Sequence, residues 1–379
     1  MKQSRILILC IFLSVISCTV GTARGSDHHS VSFSVVGDIM QHDLQIETAY
    51  NPSCKCYEYK PVFEPVKEYL EKADITIGNL ETTLPGDPKK YSGYPEFGAP
   101  DSLVTALDYV GFDILTTANN HSLDKGKSGL KRTIKVLDQK GIVHLGTYSS
   151  HTEHKKNRVL FVHKNGIKFA LLNYTYGTNG IAVPKDVVVN LIDDKKIMED
   201  MALAREAKPD VIVVLYHFGG EYLRQPDEYQ KKYVNLAFNE GADIVLGGHP
   251  HVLQPFEVKN VKDKFGKQKN RLVIYSLGNF VSNQQRRYTD GGMIFNFTVR
   301  KKGETISIDS IHYIPVWVYV EKKPKKTQFY VLPIEDFIEN PGSPSLTASS
   351  MQRMKLFYKD TTQHLHESLE KTAFYRKDQ

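Results

Sequence analysis

The sequence predicts an α/β fold in which strands and helices alternate along most of the 379 residues. Short apolar segments alternate with segments of helical periodicity, which is the pattern of strand-helix units around a parallel sheet. The apolar segments are nearly continuous, as expected for parallel strands that are buried on both faces. After about residue 292 the pattern changes to two-residue alternation, which predicts antiparallel strands that close the domain.

Seven predicted strands share one feature, which is a polar turn containing Gly, His or Asn directly after the apolar segment. These strands span residues 31–36, 74–77, 112–117, 168–172, 211–215, 243–246 and 272–275. The C-terminal ends of parallel strands form the ligand-binding edge of an open α/β sheet. The seven polar turns are therefore predicted to converge on one edge.

Five segments with helical periodicity lie between the strands, at residues 62–72, 102–110, 129–140, 195–207 and 227–240. Gly111, Gly141 and Gly241 follow three of them and are predicted to end those helices, because glycine readily adopts the left-handed conformation found at helix C-termini. The predicted C-terminal strands span residues 293–300, 305–313, 316–320 and 327–332. A polar amphipathic helix within residues 345–377 is predicted to be an appendage of the domain.

The N-terminus has the pattern of a secretory signal peptide. Lys2 and Arg5 precede an apolar run at residues 6–16, which is too short to span a membrane. The residues before Cys18 resemble the lipobox of bacterial lipoproteins, so Cys18 is predicted to be the lipidated first residue of the mature chain. The alternatives are cleavage near residues 21–26, which would release a secreted protein, and an uncleaved anchor.

These patterns predict an exported protein of the cell envelope that is held at the membrane by a lipid anchor, with a secreted or periplasmic protein as the alternative. A multiply acylated Cys anchors a protein firmly, whereas one acyl chain does not. The predicted organisation is a lipoprotein signal peptide at residues 1–17, a linker at 18–30, a main domain at 31–320, and C-terminal strands with a helical tail at 321–379.

Cys54 and Cys56 remain once Cys10 and Cys18 are assigned to the signal segment. Without a second pair they do not form a structural zinc site. One intervening residue is too close a spacing for an unstrained mutual bridge, so the prediction is a loop pair in either redox state.

The net charge of +6 is mild for a chain of this length. The basic residues concentrate at 259–269, 300–302 and 322–326, which are predicted to be solvated loops. Attraction to an anionic polymer or lipid surface is the alternative. The sequence contains no nucleic-acid-binding module, so nucleic acid is not a predicted partner.

The strand-end turns supply a set of residues that can bind metal. The turns offer Asp38, Asn79, Glu81, Asn120, His121, His217, His249 and His251. The predicted metal ligands among them are Asp38, Glu81, Asn120, His217, His249 and His251. This mixture of imidazole, carboxylate and carboxamide groups suits divalent Zn, Mn or Fe better than Ca. One or two divalent ions are therefore predicted at the sheet edge.

The order of these motifs resembles the signature of calcineurin-like metallophosphatases, in which two metals hold the attacking and leaving oxygens of a phosphoester. The closer resemblance, over roughly residues 32 to 285, is to the CapA family of capsule biosynthesis proteins. The motifs that carry it are Val36-Gly37-Asp38-Ile39-Met40, Gly78-Asn79-Leu80-Glu81, Ala118-Asn119-Asn120-His121 through Asp124, His217-Phe218-Gly219-Gly220-Glu221-Tyr222, Gly248-His249-Pro250-His251-Val252-Leu253-Gln254 and Tyr275-Ser276-Leu277-Gly278-Asn279-Phe280.

This resemblance implies a metallophosphatase-like layered α/β sandwich with mixed central sheets. It also implies an exported or membrane-attached protein that takes part in the synthesis, export or anchoring of poly-γ-glutamate. The implied partners are an anionic polymer and a membrane complex for polymer synthesis.

The resemblance also implies roles for individual residues. His121 would be a general acid, and Asp124 would orient it or else cap the helix that follows. Asn79, Glu221 and Asn279 would lie on the substrate side of the site. Where metallophosphatases have Asp-x-His this chain has Asp38-Ile39-Met40, and Asn79 stands in place of a bridging carboxylate. A tight metal pair would therefore depend on Glu81, and one ion or a weak pair is favoured.

Three functions follow from these observations. The first is a metal-dependent hydrolase or transferase that acts on a phosphoester or on an amide of an anionic polymer. The second is a non-catalytic accessory protein that binds or guides the polymer in the same cleft, and the third is a secreted nucleotidase-like phosphatase. The altered Asp38 and Asn79 motifs favour the accessory protein, whereas the retained His217, His249 and His251 favour the hydrolase.

Overall fold

A computed structural model describes residues 28–323 and 326–375 of the chain. The predicted signal peptide, Cys18 and most of the predicted linker lie outside the described residues. Among the helices that are described, none combines the length and the apolar character needed to cross a membrane.

The described residues form eighteen strands. In chain order they are β1 His28–Ile39, β2 Tyr50–Asn51, β3 Cys56–Tyr57, β4 Ile75–Leu80, β5 Ile114–Thr116, β6 Val143–Leu145, β7 Thr147–Tyr148, β8 Leu160–Lys164, β9 Ile167–Thr175, β10 Val188–Val189, β11 Val211–His217, β12 Ile244–Gly248, β13 Phe256–Lys262, β14 Gln268–Ile274, β15 Asn279–Val281, β16 Gly291–Lys302, β17 Thr305–Lys323 and β18 Lys326–Pro333. The seven predicted strand segments coincide with β1, β4, β5, β9, β11, β12 and β14, so those predictions are confirmed.

Ten α-helices connect or cover these strands in the described part of the chain. They are α1 Asp43–Ala49, α2 Lys60–Phe63, α3 Lys67–Leu70, α4 Ser102–Tyr109, α5 Gly126–Lys140, α6 His151–Asn157, α7 Asp194–Glu206, α8 Glu228–Asn239, α9 Ile334–Glu339 and α10 Ala348–Tyr375. Gly111, Gly141 and Gly241 have φ angles of +91°, +72° and +100°, which confirms the predicted helix ends.

The strands form two large mixed sheets. The first has the order β18-β17-β16-β1-β4-β5-β6, with β15 beside β1, and the second has the order β13-β14-β12-β11-β9-β8. Strands β1, β4, β5 and β6 are parallel, as are β9, β11, β12 and β14. The predicted strand ends therefore meet at the adjoining edges of two sheets, and the prediction of one shared edge is wrong.

The two sheets pack face to face, and helices cover their outer faces. The rings of Phe33 on β1 and Phe169 on β9 lie 5.2 Å apart, inside a continuous apolar core between the sheets. Helices α2 to α5 pack on the outer face of the first sheet, and α7 and α8 pack on that of the second. Each sheet is thus buried on both faces, which explains its nearly continuous apolar strands and confirms the layered α/β sandwich.

The helix predicted at residues 62–72 is interrupted. A short 3-10 turn at Glu64–Val66 separates α2 from α3. Pro65 lies in this turn and has no amide hydrogen to donate to the preceding helical turn. The apolar side chains still face the first sheet, since Val62, Phe63, Val66 and Leu70 are buried.

The C-terminal antiparallel strands β16, β17 and β18 extend the first sheet beyond β1. The two segments predicted at 305–313 and 316–320 form one strand, β17. Pro315 does not end this strand. Pairing between β17 and β18 starts at Val316, one residue later, so β18 has no residue opposite Pro315 that would accept a hydrogen bond from a backbone amide there. The predicted domain boundary after residue 320 falls inside β17.

The predicted appendage at the C-terminus is a packed part of the fold. Helix α10 lies against β13 and β17. Met354 and Leu365 are fully buried, and Phe357 is 4% exposed. These side chains join the core between the sheets, so the prediction of an appendage is wrong.

Cys54 and Cys56 form a disulfide at the tip of the β2–β3 hairpin. Lys55 between them has a φ of +52°, and this turn places the two Cα atoms 5.2 Å apart, within the usual range for a bridge. The expectation that this spacing is too close for an unstrained mutual bridge considered sequence distance without the turn, and a mutual bridge does form.

Candidate metal centre

The six predicted metal ligands come from both sheets and lie together where the parallel strands end. Asp38 lies near the end of β1, Glu81 directly follows β4, and His217 is the last residue of β11. The remaining ligands follow β5 and β12. All six side chains are buried, with exposed fractions between 0% and 3% for Asp38, Glu81, Asn120, His217, His249 and His251.

The backbone after β12 directs two histidines into the same cleft. His249 and His251 have φ angles of +99° and +59°, a region that few residues other than glycine adopt. The rings of His217 and His249 are 4.8 Å apart, and those of His249 and His251 are 5.8 Å apart. Strained backbone of this kind persists where the surrounding structure requires a particular side-chain direction.

Glycine at position 248 permits a close approach between the two sheets. A Cβ atom added there would lie 2.9 Å from Oδ1 of Asp38. The next amide, on His249, donates to Oδ2 of Asp38 at 3.3 Å. The motif from β12 therefore accommodates and binds the carboxylate that β1 supplies.

The donor atoms form overlapping groups, each of which could hold one ion. The first group is Glu81, His217 and His249, and the second is Asp38, Glu81 and His251. In each group the donor atoms lie within 4.8 Å of one another. Glu81 belongs to both groups, so it is the residue that would help to hold either ion where the chain has Asn79 instead of a second aspartate.

Glu81 and His249 show that these residues fit a divalent ion. Oε1 of Glu81 is buried and has no hydrogen-bond partner among the described residues, and the same holds for Nδ1 of His249. Nε2 of His217 lies 3.5 Å from that oxygen. Two atoms that bind one tetrahedral ion at about 2.1 Å lie about 3.4 Å apart, so this separation suits a shared ion.

The protonation of the cluster favours metal binding. Burial, followed by the neighbouring His217 and His251, holds the pKa of His249 well below its usual range. Burial likewise lowers the pKa of His217 to about 3. Both imidazoles are therefore neutral near pH 7, which is the form that binds metal. Burial and then the charge of Asp38 raise the pKa of Glu81 well above its usual range, an effect that a cation beside both carboxylates would oppose.

Asn79 and Asn120 orient the groups around them. Nδ2 of Asn79 donates to Oδ1 of Asp38 at 2.8 Å and contacts Nδ1 of His217 at 3.2 Å. Nε2 of His217 faces Oδ1 of Asn120 at 2.7 Å. Asn179, which the sequence analysis missed, accepts a hydrogen bond from Nδ2 of Asn120 at 3.2 Å and so turns the amide oxygen of Asn120 toward the cluster.

His121 lies beside the cluster and is held by Asp124. Nδ1 of His121 is 2.6 Å from Oδ2 of Asp124, and its Nε2 is 4.0 Å from Oε1 of Glu81. Oδ2 of Asp124 also accepts a hydrogen bond from the amide of Phe97. Helix α5 has Lys125 as its N-cap, without a side-chain cap bond, so the contacts of Asp124 match the orienting role.

The other predicted site residues divide between the interior and the rim. Oδ1 of Asn279 lies 3.1 Å from Nδ1 of His251, and Asn279 is fully buried. Asn279 and Asn79 thus contact ligands, and their predicted contact with substrate stays a prediction. Glu221 is exposed and forms a third group of potential ligands with His249 and His251.

His42 is a further residue at this site that the sequence analysis did not identify. Its Nδ1 accepts a hydrogen bond from the amide of Asn283 at 3.2 Å, and its ring lies 5.2 Å from that of Phe97. Burial lowers the pKa of His42 to about 4. The sequence could have identified His42 from its position, since it lies four residues after Asp38 in the same strand-end turn.

Comparison with known proteins agrees with this geometry. Residues 32–284 match the model of the bacterial capsule synthesis protein family PGA_cap. The capsule biosynthesis protein CapA of Bacillus anthracis is 29% identical over 298 residues, which cover 76% of this chain and 68% of that protein. The PGA biosynthesis protein CapA of Bacillus subtilis is 28% identical over 304 residues, which cover 78% of this chain and 76% of that protein.

Solved structures agree on the fold. The NAD nucleotidase of Haemophilus influenzae superposes with a TM-score of 0.50 at 14% sequence identity. The match covers 88% of this chain but 63% of the nucleotidase, so the chain spans less than two thirds of that enzyme. The family match extends over most of the described domain and includes every predicted metal ligand. The chain therefore belongs to the bacterial capsule synthesis protein family PGA_cap.

Proposed function

We propose that this protein is a metal-dependent hydrolase that acts in the synthesis, export or anchoring of an anionic capsule polymer of the poly-γ-glutamate type. The observation that carries the proposal is the shared position of Glu81 in two buried ligand groups. The family match and the names of its CapA relatives support the polymer.

The residues divide the chemistry between them. Glu81, His217 and His249 would hold one divalent ion, of Mn, Zn or Fe, and Asp38, Glu81 and His251 would hold a second where one binds. Such an ion supplies Lewis-acid activation of a substrate oxygen and of water. Nδ1 of His121 is occupied by Asp124, so Nε2 is the nitrogen that is free to give a proton to the leaving group.

We also propose that the protein is exported and held at the outer side of the membrane by acylated Cys18. This would place the cleft where a membrane complex delivers polymer. Intact mass of the mature protein tests this part, because an unmodified N-terminus beyond residue 18 contradicts it.

The main experiment compares the purified protein with His249→Ala. Loss of this ligand should remove most of the bound metal, because His249 belongs to two of the three groups of potential ligands at this site. The circular-dichroism spectrum should stay unchanged. Cleavage of poly-γ-glutamate, followed by chain length, should fall to background. His163→Ala is the matched control, since His163 is an exposed histidine on β8 and should retain metal and activity.

The accessory-protein function remains the second candidate, and Asn79 favours it. Its neutral amide binds Asp38 and contacts His217. A carboxylate at this position would instead supply a negative charge to a pair of metal ions. If His249→Ala loses metal but still supports capsule formation in cells, the cleft binds polymer without cleaving it. If the protein cleaves a phosphoester but not the polymer, the nucleotidase-like phosphatase replaces the hydrolase.

A further inference from the structure

Tyr176 is a residue at the metal cluster that neither the predicted ligand set nor the proposed chemistry uses. It directly follows β9, and its amide donates to the backbone oxygen of His217 at 3.0 Å. Its ring lies 4.5 Å from the ring of His249. Tyr176 is therefore held against two predicted metal ligands, against one through its backbone and against the other through its side chain.

The same side chain reaches solvent. Tyr176 is 40% exposed, whereas His217 and His249 are 2% and 3% exposed. One part of the tyrosine ring thus packs on a buried ligand, and another part stays open. Tyr176 lies at the boundary between the ligands and the solvent, so a substrate that reaches His249 on this side contacts it.

The hydroxyl of Tyr176 has a proton that it can give to a bound molecule. Its oxygen lies 3.4 Å from Oδ1 of Asn179, which is longer than the usual hydrogen bond from a hydroxyl to an oxygen, about 2.5–3.0 Å. Oδ1 of Asn179 already accepts a hydrogen bond from Nδ2 of Asn120 at 3.2 Å. The hydroxyl is therefore held weakly beside the predicted ligand Asn120, and it can turn toward a closer acceptor.

The loop that carries Tyr176 is fixed at its base and open on its outer side. The hydroxyl of Thr178, a buried residue, donates to the backbone oxygen of Ile181 at 2.6 Å. A Cβ atom added at Gly177 or at Gly180 would meet no heavy atom within 4 Å. The loop thus keeps Tyr176 in place and leaves room beside it for an extended chain.

We propose that Tyr176 is a substrate-binding residue whose hydroxyl donates a hydrogen bond to a carbonyl oxygen of the polymer bound at the metal cluster. A γ-linked glutamate chain presents one amide carbonyl for each residue. A tyrosine hydroxyl is a neutral donor near pH 7, which suits a neutral acceptor of this kind. This inference rests on the proposed function for its polymer, and on the contacts of Tyr176 for its site.

The test measures binding of a fluorescent γ-linked glutamate decamer to the purified full chain by anisotropy. Tyr176→Phe should weaken binding about three- to tenfold, which is the effect of losing one neutral hydrogen bond. Its metal content and melting temperature should equal those of the unmodified protein, because the variant keeps the ring that packs on His249.

Tyr229→Phe is the matched control. Tyr229 is 39% exposed, and its ring packs 4.8 Å from that of Tyr233 on α8, which covers the outer face of the second sheet. This variant loses the same hydroxyl from another part of the fold and should bind the decamer like the unmodified protein. An equal loss of binding in Tyr229→Phe would refute a specific role for Tyr176.

The remaining outcomes separate this inference from the proposed function. If Tyr176→Phe binds the decamer as tightly as the unmodified protein does, the inference is refuted and the proposed function stays intact. If weaker binding comes with a loss of metal, Tyr176 acts through the ligands, and its hydrogen bond to the polymer is refuted. A polyphosphate chain of equal length is the second probe. If the unmodified protein binds polyphosphate but not the decamer, the proposed polymer is refuted, and this inference with it.

Discussion

His121 is the residue whose role depends most on one neighbour. Its Nδ1 lies 2.6 Å from Asp124, and Phe97 donates to the same carboxylate oxygen. Burial raises the pKa of Asp124, and the hydrogen bond from His121 opposes that rise. The carboxylate thus holds a proton on Nδ1 and leaves Nε2 toward Glu81, so a proton given from Nε2 comes from the doubly protonated ring.

Replacing Asp124 by Asn should lower hydrolysis by about one hundredfold, within the range attributed to a positioned general acid. The amide oxygen can take the place of Oδ2 and accept from Phe97 and from Nδ1 of His121, but it lacks the negative charge that stabilises the doubly protonated ring needed to give a proton from Nε2. Bound metal should be unchanged, because Asp124 belongs to none of the ligand groups. Activity and metal content measured on the same sample check both parts, and a parallel loss of metal would contradict this role.

At this scale the residue types were predictable, and their contacts were not. Asp38, His217, His249 and His251 follow apolar strands, and strand ends in α/β folds gather at one side. Asn179 could not be found this way, because it acts through Asn120 from a distant loop. The hydrogen bond between Asn120 and Asn179 depends on the orientations of both side chains, and these cannot be predicted from the spacing of residues in the sequence.

At the scale of elements, the sequence predicted which segments are strands but not how they divide between sheets. Buried parallel strands are nearly continuously apolar in either sheet, so β4 and β11 look alike. The packing of α10 was missed for a related reason. Its buried face is a narrow stripe containing Met354 and Leu365 in an otherwise polar helix, and polar composition alone suggests a solvated helix.

Two leucines of α10 test whether this helix belongs to the core. Leu365→Ala should lower the free energy of unfolding by about 2–5 kcal/mol, because Leu365 is fully buried and a cavity would remain. Leu356→Ala in the same helix should change it by less than about 0.5 kcal/mol, since Leu356 is 43% exposed. Urea unfolding of both variants measures the difference, and equal effects would contradict the packing described for α10.

At the scale of the whole molecule, the candidate metal centre combines residues from the two sheets. Asp38 and Glu81 come from the first sheet, and His217 and His249 come from the second. An ion that binds all of them is bound only by the folded chain, since unfolding separates the ligands. The centre should therefore stabilise the sandwich in addition to any role in catalysis.

Removing the metal should lower the melting temperature, and restoring it should reverse the change. Metal at one hundred times its dissociation constant contributes about 2.7 kcal/mol, which corresponds to about 3–4 °C for a chain of this size. Mn²⁺, Zn²⁺ or Fe²⁺ should produce the shift, and Ca²⁺ should produce little, because imidazole ligands do not suit it. The His249→Ala protein should show a much smaller shift with each ion, because only the group of Asp38, Glu81 and His251 keeps all its donors, whereas His163→Ala should behave like the unmodified protein. Thermal unfolding of chelator-treated protein with each ion added back checks this, and an equal shift in His249→Ala would show that the stabilising ion binds elsewhere.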